Sequence, residues 1–442
     1  MPTTLLISGG RIIDPSQGID KVADLLVAKG KITWMGDKGT APSHADLTTI
    51  DAAGLVVCPG FIDLHCHLRE PGFEDKETIA TGTKAAAKGG FTTVCCMPNT
   101  NPALDTQSSI DYVKKTAEIE GLVQVLPIGC ITKGRQGKEL TEMSELANAG
   151  AIGFSDDGNT VASSRIMSLA MDYSYALGLP IIDHCEDKEL SDGGYMNDGW
   201  VSARLGLRGM PKAAEEIIVA RDLALAQLTG ARLHIAHVST EGSVELIRRA
   251  KEKDIAVTAE VTPHHLTLTE ERVMNEGTNR LLAYDTNAKV NPPLRTKEDI
   301  AALIKGLKDG TIDAIATDHA PHTSVDKMCE FGLAAFGISG LETALACLMS
   351  LVHSGQLDLK TIISKLTFEP ARIIGTGYGE LGILMPGCRA NVTLFDPNKE
   401  WTVDSRDFAS KGKNTPFDGC PFKGRVIATI VAGKVVYRDN PE

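Results

Sequence analysis

The sequence predicts an α/β protein: a (β/α)8 TIM barrel with a small β-sandwich formed by both ends of the chain. Between about residues 58 and 370, short β-like runs alternate with longer helical ones, and eight β-like runs can be read. Several are continuously apolar, as strands of a parallel sheet covered on both faces are. The two ends carry short β-like segments with glycines at the turns. Eight β-then-α units over ~300 residues favour a barrel over an open, doubly wound sheet.

The β-like runs are bounded by turn residues, and the segments between them have helical periodicity. The eight runs are Gly60–His67, Thr92–Met97, Gln124–Ile131, Ala151–Ser155, Pro180–Cys185, Arg232–Val238, Ala256–Thr262 and Asp313–Thr317. Helices are predicted over Lys76–Lys88, Ser163–Leu177, Ala213–Leu228, Ser243–Lys253 and Lys297–Lys308. Gly89-Gly90 is a typical C-terminal stop for the first of these helices.

The chain ends differ from the barrel region. Residues 1–57 contain short β-like segments such as Thr4–Ser8, and residues 371–442 contain Val426–Tyr437 with a turn at Gly433. These are hairpin signals. We therefore expect residues 1–57 and 371–442 to form one β-sandwich beside a barrel of residues 58–370.

Composition narrows the classes of function. The chain has 442 residues, 43% hydrophobic and 23% charged, which is the balance of an ordinary globular protein. The net charge is -12, and no Lys/Arg block is long enough for a nucleic-acid patch. No apolar run reaches the ~18 residues of a membrane span, and Met1–Leu5 does not resemble a secretory signal. We expect a cytoplasmic enzyme with no nucleic-acid or membrane partner, and reduced cysteines that serve as small core residues.

The most informative motif is Asp63-Leu64-His65-Cys66-His67-Leu68-Arg69, at the end of the first β-like run. Residues two apart on a strand point to the same side, so His65 and His67 should project together, with Arg69 next along that face. Two imidazoles so placed can bind one metal ion. An isolated His-x-His is as often a pair of buried core histidines. Here, however, further His and Asp residues recur at the ends of later β-like runs.

In a (β/α)8 barrel, functional residues lie where strands end and loops begin. The predicted strand ends carry His65, His67, Asn99, Asp156, Asp157, His184, His237, Asp318 and His322. Imidazoles and carboxylates are ligands of zinc and similar ions. Four of these histidines (His65, His67, His184 and His237) with two aspartates make six ligands, which exceed the needs of one tetrahedral ion. The count fits two adjacent metals that share a carboxylate and activate a water for hydrolysis. Asp318 is the candidate to carry the proton to a leaving nitrogen.

Each candidate ligand also has an ordinary structural explanation. Asp156-Asp157-Gly158 is typical of a turn, and Asp318 could cap the next helix. His237 could be a buried, hydrogen-bonded histidine, and His184 could belong to a loop salt bridge. The coincidence of all of them at strand ends favours the metal site. Four other histidines are not predicted as ligands: His234, His319, His264 and His265.

Several motifs together resemble a known family. Pro59-Gly60-Phe61-Ile62-Asp63-Leu64-His65-Cys66-His67 is similar to the opening signature of the amidohydrolase superfamily. Five further segments resemble the class I (bacterial-type) dihydroorotase family in particular. They are Leu68-Arg69-Glu70-Pro71-Gly72, Met97-Pro98-Asn99-Thr100, Gly153–Gly158, Asn291–Arg295 and Thr317–His322. Phe336-Gly337-Ile338 is similar to that family's substrate-contacting loop.

The resemblance implies a role for each matching residue. His65, His67 and Asp318 would bind one zinc, His184 and His237 a second, and an aspartate would bridge them. Chain spacing favours Asp157 over Asp156 as that bridge. Arg69, Asn99 and His322 would hold the carboxylate of dihydroorotate or carbamoyl aspartate, while Asn291 and the backbone near Phe336 and Gly337 would contact the ring. Arg69 is also a physical match, since a guanidinium binds a carboxylate through two hydrogen bonds.

Two alternatives remain open from the sequence. The first is a hydantoinase, dihydropyrimidinase or allantoinase, relatives that commonly bridge their metals with a carboxylated lysine on the fourth strand. Residues 151–157 contain no lysine, which favours dihydroorotase. The second is a metal-free scaffold, against which the complete ligand set argues. The resemblance also suggests a homodimer and, in some lineages, an association with aspartate carbamoyltransferase. The polar segment Thr323–Gly332 is a candidate mobile lid.

Overall fold

The computed structural model describes residues 4–43, 46–274 and 283–439. Within them, the strands are β1 (Thr4–Asp14), β2 (Ile19–Ala28), β3 (Lys31–Gly36), β4 (Leu47–Asp51), β5 (Val56–Pro59), β6 (Phe61–Cys66), β7 (Phe91–Cys96), β8 (Gln124–Pro127), β9 (Ile181–Asp183), β10 (Met196–Asn197), β11 (Gly209–Met210), β12 (Leu233–Ile235), β13 (Val257–Val261), β14 (Ala314–Ile315), β15 (Val392–Thr402), β16 (Pro421–Val431) and β17 (Lys434–Arg438).

The α-helices of the same residues are α1 (Ile79–Lys88), α2 (Gln107–Glu120), α3 (Met143–Ala149), α4 (Ser164–Leu177), α5 (Lys188–Ser191), α6 (Trp200–Leu205), α7 (Ala213–Thr229), α8 (Glu241–Lys251), α9 (Pro263–Thr267), α10 (Lys297–Asp309), α11 (Ser324–Lys327), α12 (Ala344–His353), α13 (Leu359–Leu366) and α14 (Phe368–Ile374). Among residues 4–43, 46–274 and 283–439, no helix is both long enough and apolar enough to cross a membrane.

The parallel strands close into a barrel. β6, β7 and β8 pair in order, and β9, β12, β13 and β14 form a second parallel set. Phe154 joins the two sets, because it bridges Gly129 on one side and Ile181 on the other. A parallel bridge between Cys66 and His319 closes the ring. The predicted barrel is confirmed.

The fourth strand is irregular. Within the predicted run Ala151–Ser155, only Phe154 forms paired bridges, while Ile152 and Ser155 each donate a backbone hydrogen bond toward β8, to Pro127 and Gly129. The carboxylate of Asp156 holds the chain directly after this strand. It accepts the backbone N–H groups of Ile131 and Thr132, which would otherwise be available to the neighbouring backbone. The chain is thereby turned out of the sheet just before Asp157.

The barrel has two apolar layers. Its interior is filled by side chains such as Ile62, Leu64 and Ile182, and is closed at one end by Ile373 and Ile374. A larger cluster fills the space between the strands and the surrounding helices. The six cysteines placed by the sequence in apolar runs are all free and buried there or beside it: Cys58, Cys66, Cys95, Cys96, Cys130 and Cys185.

Helix starts follow their capping residues. α1 begins at Ile79 rather than at the predicted Lys76, since the side chain of Thr78 accepts the N–H of Thr81 and forms a capping box. α10 begins at the predicted Lys297, after a capping box at Thr296. The predicted start of this helix is correct, and the capping box at Thr296 is the physical reason for it.

Both ends of the chain lie in one sheet. Its order is β17-β16-β15-β5-β1-β2-β3, with β4 paired to β1. The sheet curls so that strands from both ends share an apolar cluster, which includes Ile32 and Ile430. The turn at Gly30 approaches Ala432 closely, and a Cβ at Gly30 would stand 2.9 Å from the Ala432 carbonyl oxygen. Gly30 also has φ of +78°, so only glycine fits there without strain. The exact domain boundaries at residues 57/58 and 370/371 stay a prediction.

Candidate metal centre

Six predicted ligands lie together at the carboxyl ends of the barrel strands. They are His65, His67, Asp157, His184, His237 and Asp318. His65 is within β6, and the others follow the ends of β6, the fourth strand, β9, β12 and β14. All six side chains are buried. The polar groups that the sequence scatters over some 250 positions thus occupy one end of the barrel.

The inner group consists of His65, His67 and Asp318. His67 Nε2 lies 3.0 Å from Asp318 Oδ1, and His65 Nε2 lies 3.6 Å from the same oxygen. One donor atom from each of the three residues falls within a sphere suitable for one ion. Asp318 has φ of +46°, an uncommon conformation for a non-glycine residue that turns its carboxylate toward the two imidazoles.

The outer group consists of His184 and His237, with Asp157 between it and the inner group. His184 Nδ1 lies 2.9 Å from His237 Nε2. Asp157 Oδ1 lies 3.3 Å from His65 Nε2 and 3.6 Å from His237 Nε2. Asp157 therefore faces both histidine groups, whereas Asp156 is turned away to the backbone of the preceding loop.

Two of the candidate ligand atoms lack a hydrogen-bond partner in the described part of the chain, and a metal ion would be a suitable one. His65 Nε2 and Asp157 Oδ1 are both buried, and neither has a hydrogen-bond partner among the described residues. An unpaired buried polar atom is costly, so such atoms call for a missing partner. Imidazole nitrogens with carboxylate oxygens are a typical donor set for zinc and similar divalent ions. The residues present therefore fit a metal centre.

The pKa shifts of Asp318, His67 and His184 suit metal binding, whereas at His65 burial lowers the pKa but the carboxylates of Asp157 and Glu260 outweigh it and raise the pKa above its usual range. Burial raises the pKa of Asp318, but its hydrogen bond with His67 and the charge of His65 outweigh this and hold the pKa well below its usual range. Burial lowers the pKa of His67 and of His184. Ionised carboxylates and neutral imidazoles are the forms that bind cations.

Two glutamates that the sequence analysis missed hold the metal-facing histidines. Glu260, on β13, accepts a hydrogen bond from His65 Nδ1 at 2.8 Å and lies 3.2 Å from His234 Nε2. Glu186 accepts from His184 Nε2 at 2.9 Å. Each glutamate thereby fixes which ring nitrogen is left for a metal. The signal for Glu260 was a carboxylate inside an otherwise apolar strand, and His184-Cys185-Glu186 was read only as a possible loop salt bridge.

A cavity of about 570 Å³ opens beside these ligands. The residues predicted to contact substrate line it, namely Arg69, Asn99, Asn291, His322, Phe336 and Gly337, and so does the predicted metal ligand His67, which is a further predicted substrate contact. A volume of this size is typical of small-molecule sites. The cavity thus places the predicted substrate contacts against the predicted metal ligands.

Arg69 supplies a buried positive charge to this cavity. Its Nε donates to the carbonyl of Pro321 at 3.3 Å, and its Nη2 lies 3.3 Å from His322 Nε2. Both of these partners are uncharged groups, since burial and the nearby Arg69 lower the pKa of His322 to about 2. Burial also lowers the pKa of Arg69 to about 10, which leaves it charged near neutral pH. A buried cation in this setting is suited to an anionic ligand.

Asn99 and Asn291 connect the substrate side of the cavity to the ligands. Asn99 Oδ1 accepts from His67 Nδ1 at 2.8 Å, which leaves His67 Nε2 facing Asp318. Asn291 Nδ2 donates to Glu186 at 3.0 Å. Both amides therefore also position metal-facing groups, a role that the sequence analysis did not assign to them.

The four histidines that were not predicted as ligands lie outside the ligand set. His234 contacts Glu260 and Thr258, and His319 contacts Glu77. His265 lies 2.9 Å from the carbonyl of Pro292. His264 packs against His265.

Comparison with known proteins agrees with this geometry. A family model described as Dihydro-orotase-like matches residues 54–243. A dihydroorotase from Caldanaerobacter subterraneus subsp. tengcongensis is 52% identical over 437 residues, covering 99% of this chain and 98% of that protein. A dihydroorotase from Geobacter sp. strain M21 is 50% identical over 434 residues, covering 98% and 99%.

The chain belongs to the dihydroorotase family. The family predicted from the motifs is confirmed, and so is the prediction of a cyclic amide hydrolase. Among solved structures, the L-hydantoinase (dihydropyrimidinase) from Arthrobacter aurescens matches with a TM-score of 0.86 at 28% identity, covering 99% of this chain and 96% of that one. The dihydroorotase fold is thus shared with hydantoinases, while the high sequence identity is with dihydroorotases.

Proposed function

We propose that this dihydroorotase family member catalyses the reversible hydrolysis of L-dihydroorotate to N-carbamoyl-L-aspartate, whose reverse is the cyclisation step of pyrimidine (UMP) biosynthesis. One observation carries the proposal. A buried, charged Arg69 lines the same cavity as a double set of histidine and aspartate ligands. This combination suits a cyclic amide that bears a carboxylate.

The substrate carboxylate would bind to Arg69, with Asn99 and His322 beside it. The planar guanidinium can donate two parallel hydrogen bonds to a carboxylate, which fixes its orientation as well as its position. Asn291, beside Glu186, and the backbone at Phe336 and Gly337, beside His322, would contact the ring. The reacting amide would then face Asp318.

His65, His67 and Asp318 would hold one Zn²⁺ and His184 and His237 a second, with Asp157 shared between them. Two such ions supply a water of lowered pKa and polarise a carbonyl oxygen. In hydrolysis, a water oxygen forms a bond with the ring amide carbon while the carbon–nitrogen bond breaks. Asp318 accepts the proton from that water and delivers it to the departing nitrogen. Cyclisation follows the same steps in reverse.

The alternative with a specific observation behind it is a hydantoinase or dihydropyrimidinase activity, because solved structures of such enzymes share the fold. Their substrates lack the carboxylate that Arg69 would bind. The test is a parallel assay of dihydroorotate, hydantoin, dihydrouracil and allantoin with one enzyme preparation. We expect dihydroorotate to be turned over with the highest kcat/KM. A higher kcat/KM for any of the other three would overturn the proposal.

Metal content provides a second test, which also addresses the metal-free scaffold. Elemental analysis of protein purified without chelator should give about two divalent ions per chain, a number that follows from the proposed bridged pair. A chain that carries no metal and hydrolyses none of the four amides would contradict the proposal.

We further propose that the enzyme acts in the cytoplasm and as a homodimer. Association with aspartate carbamoyltransferase, and mobility of Thr323–Gly332 over the cavity, stay predictions. Val325 and Met328, in the candidate lid, are more than 80% exposed, which supports a segment whose upper side is not packed.

A further inference from the structure

A segment between β15 and β16 leaves the sheet of the chain ends and reaches the wall of the cavity. Residues 410–415, which we call the 410–415 segment, lie against the loop that follows β14. A Cβ on Gly412 would stand 2.5 Å from Pro321 Cβ and 2.8 Å from the His322 nitrogen, so a larger residue at position 412 would displace this loop. A part of the chain that carries none of the predicted ligands therefore contacts the site.

The side chain of Asn414 uses its full hydrogen-bonding capacity in this contact. Its Oδ1 accepts the N–H of His322 at 2.8 Å and lies 2.9 Å from the hydroxyl of Ser339, which can donate to it. Its Nδ2 donates to the carbonyls of Ala320 and Gly337, at 3.0 Å each. An amide side chain has two acceptor positions and two donors, and here all four have a partner. Two carbonyls on one side, with an N–H and a hydroxyl on the other, fix the orientation of the amide.

These hydrogen bonds join two stretches of chain that both carry predicted substrate contacts. His322 lies in the first stretch, and Phe336 and Gly337 lie in the second. The two stretches approach closely, because His322 Nε2 lies 2.8 Å from the Phe336 carbonyl oxygen, and a Cβ on Gly337 would stand 2.6 Å from Ala320 Cβ. The spacing between the two groups of substrate contacts therefore depends on the side chain that bonds to both.

The contact is enclosed, which makes its hydrogen bonds costly to lose. Asn414 is 4% exposed and Ser339 is 1% exposed. Without the amide, the N–H of His322 and the carbonyls of Ala320 and Gly337 would lose the partner that they have here. A buried polar group without a partner is unfavourable, so the cavity wall would have to shift to find other partners.

The 410–415 segment is also held at its beginning, by the buried carboxylate of Glu77. The N–H of Lys411 donates to Glu77 Oε1 at 3.1 Å, and the hydroxyl of Ser410 donates to Oε2. Glu77 Oε2 in turn lies 3.3 Å from His319 Nε2, on the loop that follows β14. The barrel mouth therefore fixes the segment at both of its ends, and this differs from a loop that only covers the surface.

We propose that Asn414 is a positioning residue for substrate binding, which sets the spacing between His322 and the backbone at Phe336 and Gly337. The inference rests on the proposed dihydroorotase function, since it concerns the same cavity. Asn414 acts through these groups, which are proposed to bind the substrate carboxylate and ring. It takes no part in metal binding or proton transfer, so its loss should affect KM more than kcat.

Steady-state kinetics of the full-length, metal-loaded enzyme would test this role. Asn414→Ala should raise KM for dihydroorotate by roughly 10-fold and lower kcat by less, with metal content unchanged. Asn391→Ala is the matched control, because Asn391 is also a buried asparagine, 6% exposed, and its Oδ1 accepts the N–H of Ala432 at 2.9 Å in the sheet of the chain ends. The control should lower the thermal midpoint and leave KM at the wild-type value.

A double-mutant cycle separates positioning from a general loss of stability. If Asn414 acts through His322, Asn414→Ala should lower kcat/KM by a smaller factor in the His322→Ala background than in the wild type, with the two factors differing by about threefold or more. A structural role that is independent of His322 would lower kcat/KM by the same factor in both backgrounds. Equal factors would therefore overturn the proposal.

Ser339→Ala is a milder change that decides the matter if Asn414→Ala does not fold. It removes the hydroxyl beside Asn414 Oδ1 and leaves the other three bonds of the amide, so KM should rise by about two- to fivefold. A wild-type KM in Asn414→Ala, or in Ser339→Ala where that is the only folded variant, would overturn this proposal alone. A wild-type enzyme that does not turn over dihydroorotate would contradict the proposed function and, with it, this inference.

Discussion

The two sides of the cavity are built differently. The strand side, which we call the floor, carries His65 on β6 and His67 directly after β6, and backs His65 with Glu260 on β13. Glu260 also contacts His234, and the side chains of both His65 and Glu260 are at most 1% exposed. The barrel's own hydrogen-bonded frame thereby fixes the floor.

The loop side, which we call the rim, depends on side chains that follow the strands. Glu186 backs His184, and its carboxylate is shared with Lys188, Asn291 and the hydroxyl of Ser191. The Lys188 side chain is 46% exposed. The difference suggests that the floor is preorganised by the fold, whereas the rim is assembled from loops and responds more readily to conditions.

The largest effect is expected at Asp318, whose carboxylate faces the floor histidines His65 and His67. Asp318→Asn removes the proposed proton carrier and one ionic ligand, so kcat should fall by about 10²–10⁴-fold in both directions. Steady-state assays of hydrolysis and cyclisation would measure it, with metal content determined on the same samples. Asp192→Asn is the matched control on the rim, because Asp192 lines the cavity but is 77% exposed. Near-wild-type turnover of Asp318→Asn with its metal retained would show that another group moves the proton.

The second-largest loss of activity is expected at Arg69. Arg69→Lys keeps the charge but loses the planar pair of donors, so kcat/KM for dihydroorotate should fall by roughly 10- to 100-fold, as expected for a hydrogen bond to a charged group of about 1.5–3 kcal/mol. Arg208→Lys serves as the control, since Arg208 lies near the cavity mouth and is 61% exposed. An equal loss in both variants would mean that Arg69 contributes only general positive charge.

The backing glutamates compare floor and rim directly. Glu260→Gln and Glu186→Gln should each weaken metal binding by about 10- to 100-fold, measured by competition with a chelator of known affinity. We expect the larger loss for Glu260, because it is fully buried and holds two histidines. The ring nitrogen shifts of His65 and His184, read by ¹⁵N NMR, should report the altered tautomers. A larger loss for Glu186→Gln would reverse the proposed order of floor and rim.

Much of the floor could be predicted from the sequence, because a strand obeys a period of two. That period alone placed His65 and His67 together and turned Cys66 into the outer apolar cluster. Chain spacing chose Asp157 over Asp156, and the structure places Asp157 among the histidines. These inferences needed no knowledge of the loops.

The rim and the backing groups could not be predicted in the same way. Glu260 lies 195 residues from the histidine that it holds, and its partner is set by the register between barrel strands. Asn291 contacts Glu186 only because a loop brings them together. Local sequence patterns do not encode such distances. The same limit applies to Asp156, whose carboxylate contacts the backbone of Ile131 and Thr132, after β8.

The smallest effect is a pH dependence of the candidate lid, Thr323–Gly332. Hydrogen bonds from two buried lysines hold this segment against the rim. Lys327 Nζ donates to the carbonyls of Thr286, Lys289 and Ala335, and Lys289 Nζ donates to the carbonyls of Phe331 and Gly332. Burial, assisted by the charge of Lys289, lowers the pKa of Lys327 to about 7. Burial lowers the pKa of Lys289 to about 8.

A lowered lysine pKa sets the sign of the pH dependence. In the docked lid the two lysines lose their protons at a lower pH than in the released lid, where their pKa values are the ordinary ones of about 10.4. Docking should therefore weaken as the pH falls from about 10 toward 7 and change little below that. Hydrogen exchange of Thr323–Gly332, corrected for intrinsic rates, should rise over this interval by less than about tenfold per pH unit for each lysine. Amides of β6 and β13 in the floor should not follow this change.

Methionine substitutions separate this linkage from a general loosening of the protein. Lys327→Met should reduce the pH response of the lid, and Lys289→Met/Lys327→Met should abolish it, even if the carbonyls left without donors raise lid exchange at every pH. The variants are compared by how steeply the hydrogen-exchange rate of the lid changes with pH, and the absolute rate is not used. A double variant whose lid keeps the wild-type slope would show that the rim owes its pH response to other groups, and that these lysines serve only to pair the carbonyls of the loop.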